Sequence, residues 1–283
     1  MRKVAIVIDS TPRMSEQECK KYGIEVIPLT VVFDDGEYLD GVEITTDEFY
    51  EKLVVEKKLA STSQPSPGML TDVFERLSKD HDEIVFITMT SGMSGTYQSA
   101  SALANILLED KGIKINVFDS KYTAGIGVDM AIQAATLADT GANANEIIKR
   151  LEQIREKSKL YLIVDDLSHM YRMGRIGKAA KVLGSSLKIK PVLQLLDGEV
   201  AIYKKMRTFK KTVLKMIEEL EKNYTENLSI SIISGDCDEY SEFARKEILK
   251  FANPSNVRML EASPIIAAHT GSNAMCICWT DIS

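Results

Sequence analysis

The sequence has few of the residues that build metal sites and disulfide bonds. Its 283 residues include only four cysteines and three histidines. No two cysteines form a C-x-x-C pair, and His81, His169 and His269 are too scattered in the chain to indicate a zinc cluster. We therefore expect free thiols, no metal and no cofactor, a pattern typical of a protein in the reducing cytoplasm.

Long basic clusters and long apolar segments are missing as well. The net charge is −6, and the densest basic run lies within residues 204–211. A nucleic-acid-binding protein usually has a basic face, and a membrane-spanning helix needs about 18 or more apolar residues. Because an apolar strand pattern begins at Val4, we also expect no signal peptide. The composition argues against nucleic acid as a partner and against a membrane span.

The residues that are present predict an α/β protein. Apolar residues make up 45% and charged residues 27%, the usual balance of a globular protein, and the length favours about two domains. In residues 1–157, strand patterns alternate with helical patterns, which predicts a doubly wound domain with a mostly parallel sheet. Residues 158–283 contain a predicted hairpin that turns at Asp197-Gly198, and they predict an α+β domain.

Local patterns predict where several elements begin. The run Ile24–Phe33 is rich in β-branched residues and predicts one continuous strand. The spacing of Ser15 and Glu18 matches a capping box, and Ser66 followed by Pro67 is typical of a helix start.

Two loops rich in hydroxyl groups each lead into a predicted helix. One contains Thr62, Ser63 and Gln64, and the other is Ser91–Thr96, which follows a predicted strand. A helix N-terminus offers free N–H groups and positive partial charge, and hydroxyls donate to a carboxylate without adding a full charge. The loops therefore predict a site for a small anionic group. The same residue types also serve as helix caps, so the pattern leaves both interpretations open.

Ser94 also permits a different function. Gly92-Met93-Ser94-Gly95 resembles the nucleophile elbow of hydrolases, although a threonine stands where the second glycine belongs. A hydrolase would need a histidine base and an acid, for which His269 with Asp119 or Asp9 are the candidates. No spacing in the sequence supports that set, and acyl-ester hydrolysis stands as the alternative.

Two further segments carry polar residues without a motif of their own. Arg172 and Arg175 flank Gly174, an arrangement that suits an anion or a partner and also suits a solvated helix end. His269 precedes the last predicted strand, in a segment that fits either a turn with a functional histidine or a satisfied polar loop. The residues themselves leave both questions open.

Taken together, these motifs resemble the DegV family of bacterial lipid-binding proteins. Each motif is weak alone, but the set follows the family order over nearly the whole chain. The chain departs from the family pattern at Met173, where the family often has glycine, and at Ser272-Asn273, where it often has Pro-Gly. The matching segments are Asp9-Ser10, Thr62–Ser66, Ser91–Ser99, Asp119-Ser120, Arg172–Lys178, Lys190-Pro191, Arg207-Thr208 and His269–Gly271.

The resemblance implies a protein that binds a long-chain fatty acid between its two domains and is not itself an enzyme. It implies that Thr62 and Ser94 bind the carboxylate and that Arg175 and Arg207 face a partner. That partner would be an ATP-binding fatty acid kinase subunit, which forms an acyl phosphate for phospholipid synthesis. Lipid exchange would involve transient membrane contact, and a lipid store or sensor without a kinase is a further alternative. The implied network around the head group is Ser63, Gly95, Thr96, Arg172 and His269.

Overall fold

The computed structural model describes residues 2–56, 60–182 and 189–283. Its regular elements alternate along the chain, and two short 3₁₀ helices, Gly177–Val182 and Pro254–Asn256, interrupt them. In chain order the elements are β1 (Val4–Asp9), α1 (Glu16–Tyr22), β2 (Ile24–Ile27), β3 (Thr30–Phe33), β4 (Gly36–Leu39), α2 (Thr46–Glu56), β5 (Ser61–Ser63), α3 (Pro67–Leu77), β6 (Glu83–Thr88), α4 (Thr96–Lys111), β7 (Ile115–Asp119), α5 (Gly125–Asp139), α6 (Ala144–Glu156), β8 (Ser158–Ile163), α7 (Leu167–Arg172), β9 (Val192–Leu196), β10 (Glu199–Lys204), α8 (Phe209–Lys222), β11 (Leu228–Gly235), α9 (Asp238–Ile248), β12 (Val257–Glu261), α10 (Pro264–Thr270) and β13 (Ala274–Asp281).

The first sheet has four parallel strands in the order β2-β1-β6-β7. Alternate side chains of β1 point to opposite faces, as strand geometry requires. Ile6 and Ile8 pack with α5 and α6, whereas Ala5 and Val7 pack with α3 and α4. Helices therefore cover both faces, and the predicted doubly wound parallel sheet is confirmed.

The second sheet has six strands in the order β10-β9-β8-β13-β11-β12 and is mostly antiparallel. Helices α8 and α9 cover one face. On the other face, Leu160, Cys276 and Cys278 share a core with the alanine-rich helix α5. The change of sheet occurs at Ser158, but because this core joins both sheets, the division into domains 1–157 and 158–283 stays a prediction.

The continuous strand predicted over Ile24–Phe33 is wrong. Strand β2 ends at Ile27 in the parallel sheet, and β3 begins at Thr30 in a separate three-stranded sheet of order β4-β3-β5. Pro28 has no N–H, and the N–H of Leu29 donates to the Ser10 hydroxyl at 3.2 Å. The chain therefore leaves one sheet and enters another within two residues.

The predicted helix starts are confirmed where a side-chain cap is present. Ser15 and Glu18 form the full capping box of α1, and Ser66 caps α3 with Pro67 at its first position. Helix α10 was not predicted, because it has only seven residues, although Ser263 caps it in the same way. Short helices carry too few periodic residues to stand out from a polar loop.

In the part of the chain that the structure describes, every helix is too short or too polar to cross a membrane.

Candidate functional site

A cavity of about 350 Å³ lies where the small sheet, the loop after β6 and α10 meet. Its position is beyond the carboxyl end of β6, where open α/β sheets bind their ligands. Polar and apolar side chains contribute to its wall. The polar lining residues are Thr62, Ser63, Gln64, Ser94, Arg175 and His269, Gly95 contributes backbone, and the apolar ones are Leu29, Met89, Met93, Ile265 and Ile266.

Thr62 and His269 form a hydrogen-bonded pair in this cavity. Thr62 lies in the middle of β5, and its hydroxyl is 2.8 Å from Nε2 of His269 on α10. Thr62 does not stand at a helix N-terminus, because α3 begins only at Pro67 and is capped by Ser66. A helix end therefore does not supply the positive partial charge expected at Thr62.

The imidazole of His269 is neutral around pH 7. Burial, the charge of Arg175 and the nearby His169 together lower the pKa of His269 to about 4. Its Nδ1 is buried and has no hydrogen-bond partner among the described residues. An anion placed beside this ring would favour the protonated form and offset part of the burial cost.

Ser94 also lines the cavity and lies in the turn that leads to α4. Its hydroxyl is 2.9 Å from the Thr96 hydroxyl and accepts from the Thr96 N–H at 3.3 Å. The N-cap of α4 is Gly95, which has no side-chain cap. A Cβ at Gly95 would lie 2.4 Å from Oε1 of Gln64, so the Gln64 side chain reaches from its own loop to the loop that carries Ser94. The prediction that these loops come together at one site is thus consistent with their geometry.

The two arginines predicted from the sequence occupy different environments. Arg175 lines the cavity, where Nε donates to the Met93 carbonyl at 3.3 Å and a terminal nitrogen donates to the Met173 carbonyl at 2.7 Å. Arg172 ends α7 and is exposed, and Arg207 is exposed as well. The cavity therefore contains the arginine assigned to a partner surface rather than the one assigned to the head-group network.

The residues of the Asp9-Ser10 motif do not line the cavity but form hydrogen bonds to two residues that do. Asp9 is fully buried and accepts from the N–H of Met89, while the Ser10 hydroxyl accepts from the N–H of Leu29. Both Met89 and Leu29 line the cavity. These two polar residues thus position the apolar part of its wall, a role that the sequence did not indicate.

The hairpin between β9 and β10 closes against the Ser94 loop. Thr90 donates from its hydroxyl to the Gly198 carbonyl at 2.8 Å. A Cβ at Gly92 would lie only 2.5 Å from the same oxygen, so glycine is required there. The second sheet is in this way hydrogen-bonded to a loop of the first.

A second cavity, of about 50 Å³, lies on the face of the second sheet that meets α10 and the start of α5, and its surface is almost entirely apolar. Met93 and Ile266 line both cavities, so a polar and an apolar space meet at these two side chains. The apolar lining of the second cavity includes Ala124, Leu160, Leu162, Leu195, Val200, Ile233, Ala262 and Cys276.

The hydrolase alternative requires a hydrogen bond between His269 and Ser94 and another between His269 and an aspartate, and neither is seen among the described residues. His269 bonds Thr62, and no hydrogen bond joins it to Ser94 in that part of the chain. Asp119 accepts from the Ser91 hydroxyl at 2.5 Å, and Asp9 accepts from the Thr11 hydroxyl at 2.6 Å. Neither aspartate orients the imidazole, which the triad mechanism needs.

Comparison with known proteins agrees with this fold and places it in a family. The family model described as "Uncharacterised protein, DegV family" matches residues 3–281. A DegV domain-containing protein of Halalkalibacterium halodurans is 34% identical over 282 residues, covering 99% of both chains. The chain belongs to the DegV family.

Solved structures of other members share the architecture. DegV of Bacillus subtilis, described as a fatty acid binding protein, superimposes with a TM-score of 0.90 at 30% identity, covering 99% of this chain and 100% of that one. A stearic acid-binding protein of Eubacterium ventriosum gives 0.86 at 25% identity, covering 99% and 98%. The predicted family and fold class are confirmed.

Proposed function

We propose that this protein binds a long-chain fatty acid, with the carboxylate in the polar cavity and the acyl chain in the apolar one. The observation that carries the proposal is the junction at Met93 and Ile266, where a cavity lined by hydroxyls meets a cavity lined by aliphatic side chains. A fatty acid has the same division between a charged end and an apolar end. Fatty acid binding by related proteins of the same fold supports this assignment.

Thr62 and Ser94 are the proposed carboxylate ligands. Both residues line the same cavity, together with Arg175 and with His269, which is hydrogen-bonded to Thr62. Each hydrogen bond to a charged group contributes roughly 1.5–3 kcal/mol. Hydroxyl groups donate to the anion but carry no charge themselves. They therefore leave no unpaired charge buried when the ligand is absent.

The acyl chain supplies most of the affinity. Each buried methylene contributes about 0.8 kcal/mol, so a chain of about 14 contributes roughly 11 kcal/mol before the loss of freedom on binding. The apolar cavity holds only about 50 Å³, which is far smaller than such a chain. We infer that side chains move apart on binding, and Met93, at the junction, has the flexible thioether suited to that change.

The experiment is native mass spectrometry of the protein as purified from cells. A bound mass equal to one fatty acid is expected, and it identifies chain length and unsaturation at once. Protein that carries no lipid and takes up no added oleic acid would contradict the proposal.

We further propose that the bound carboxylate is presented to a separate ATP-dependent kinase subunit in the cytoplasm, which forms an acyl phosphate for phospholipid synthesis. The resemblance to the family supports this step. Exposed Arg172 and Arg207 are available to a partner, and lipid exchange would use brief membrane contact. Adding the kinase subunit and ATP to the loaded protein should yield acyl phosphate. Bound lipid without acyl phosphate would instead indicate a lipid store or sensor.

A further inference from the structure

A second histidine, His169, contacts the backbone of α10 next to His269. His169 belongs to α7 and is partly buried, and its Nε2 is 2.8 Å from the carbonyl oxygen of Ala268. A carbonyl only accepts hydrogen bonds, so Nε2 carries the proton and donates. Ala268 immediately precedes His269 in α10. The bond therefore reaches the backbone next to the residue that pairs with Thr62.

This bond supplies a hydrogen-bond donor to a carbonyl near the end of the short helix α10. The last carbonyls of a helix have no partner within it. The N–H of Gly271 donates to the Ala267 carbonyl at 2.8 Å, and His169 supplies the donor for the next carbonyl, that of Ala268. Both bonds hold the final turn, which is the turn that carries His269.

The ring of His169 also contacts the chain after His269. A Cβ on Gly271 would lie 3.4 Å from Nδ1 of His169, so the ring packs against that glycine. Gly271 has a φ of +74°, a conformation that favours glycine. His169 thus contacts the backbone on both sides of His269 and restrains where its imidazole points.

The segment that carries His169 also contacts the loop that carries Ser94. The N–H of Met173 donates to the His169 carbonyl at 3.1 Å, and the N–H of Arg175 donates to the Met170 carbonyl at 2.9 Å. Arg175 then donates to Met93, the neighbour of Ser94. One short segment is therefore hydrogen-bonded both to α10, which carries His269, and to the loop that carries Ser94.

We propose that His169 is a positioning residue for the head-group site, which acts by capping α10 at Ala268 and so orienting His269 toward Thr62. This inference rests on the proposed function, since it assigns His169 a part in holding the carboxylate. His169 does not line the cavity itself. Its effect on a ligand must therefore pass through His269, and experiments can test whether the effect depends on that residue.

Two substitutions separate the hydrogen bond from the shape of the ring. His169→Phe keeps a ring of similar size and removes the donor, whereas His169→Gln supplies an amide N–H at the distance of Nε2. We expect His169→Phe to lower the affinity for oleic acid, measured by calorimetry, about 5- to 10-fold, and His169→Gln to recover most of it. His169→Leu repeats the test with a smaller side chain if phenylalanine is not tolerated.

A readout without ligand tests the same idea independently of fatty acid binding. The ring ¹⁵N shifts of His269 report its bond to Thr62, and they should change in His169→Phe and stay near those of the parent in His169→Gln. Unchanged shifts in His169→Phe, or equal changes in both variants, would overturn the positioning role. Failure of the parent protein to bind oleic acid would instead overturn the proposed function.

The second control is a double substitution. If His169 acts through His269, then His169→Phe should weaken oleic acid binding less than twofold when His269 is already alanine. An undiminished 5- to 10-fold loss in that background would show that His169 acts by another route, and would overturn the proposal.

Discussion

The polar and apolar cavities differ in how they are built. The polar cavity is formed by residues from five separate parts of the chain, some of which are held by individual hydrogen bonds such as Thr62 to His269 and Arg175 to Met93. The apolar cavity lies on one face of the second sheet, and its wall includes core side chains such as Leu160 and Cys276. The polar cavity therefore depends on the positions of individual hydrogen-bonding groups, whereas the second depends on an almost entirely apolar surface.

This difference separates affinity from recognition. Burial of methylenes is additive and non-directional, so the apolar cavity sets how tightly a ligand binds. Hydrogen bonds to the carboxylate are few and directional, so the polar cavity sets which end of the ligand is held there. Changes at the apolar end should weaken a fatty acid and its methyl ester alike, and changes at the polar end should weaken only the acid.

The largest effect is expected from blocking the apolar cavity. Ala262 is buried and lines it, so Ala262→Phe should exclude about five methylenes and lower the affinity for stearic acid roughly 1,000-fold. Its methyl ester should be affected equally in calorimetric titrations. Ala102→Phe, on the exposed side of α4, is the matched control and should bind normally. Normal binding by Ala262→Phe would contradict the position assigned to the chain.

The polar cavity contains a pH-sensitive group. The pKa of His269 is about 4 in the folded protein, below its ordinary 6.5, because the ring is buried. The contribution to stability is therefore complete above about pH 6.5 and is lost as the pH falls toward 4, by up to about 3 kcal/mol. Denaturant unfolding at both pH values should show this loss, and His269→Gln, which cannot be protonated there, should show correspondingly less. Equal losses in both proteins would exclude His269 as the cause.

Removing both hydroxyls tests recognition of the carboxylate. The double variant Thr62→Ala with Ser94→Ala should lower fatty acid affinity about 100-fold, since two bonds to a charged group are lost. The methyl ester, which has no charge, should lose much less. If acid and ester weaken equally, the hydroxyls serve the structure rather than the ligand.

The smallest expected effect distinguishes the two arginines. Arg175→Met should weaken the fatty acid about 10-fold, because Arg175 lines the cavity, and Arg172→Met should change binding less than twofold. Both substitutions remove one positive charge, so each controls for net charge in the other. The reverse order would place Arg172 at the carboxylate, as the family resemblance implies.

Several features of the fold were predictable because they depend on local residues. The capping box of Ser15 and Glu18 and the start of α3 at Ser66 were correct, since caps are formed by residues three positions apart. The strand over Ile24–Phe33 was predicted wrongly because β propensity is the same on both sides of Pro28. The chain crosses between sheets there, and nothing in the local pattern shows which partner each half will find.

The candidate site was predictable in the same uneven way. Ordered motifs indicated Thr62, Ser94 and His269, and the structure places all three around one cavity. The assignment of Thr62 and Ser94 to the carboxylate, and of His269 to the network around it, stays a prediction. The sequence did not show that Arg175, rather than Arg172, would line the cavity. Residues three apart near a helix end point in directions that depend on the turn at Gly174. The role of His169 depends on its contact with α10, almost 100 residues later.

The sequence by itself determined the alternation of strands and helices, the membership of the DegV family and the hydroxyl loops, since these follow from order and spacing along the chain. Only the tertiary structure decided that Thr62 bonds His269 across 207 positions, and that Met93 joins a polar cavity to an apolar one. The physical reason is that hydrogen bonds and cavities depend on distances of a few ångströms in space. Those distances are fixed only when both sheets have packed around α5, and they do not follow from separation along the chain.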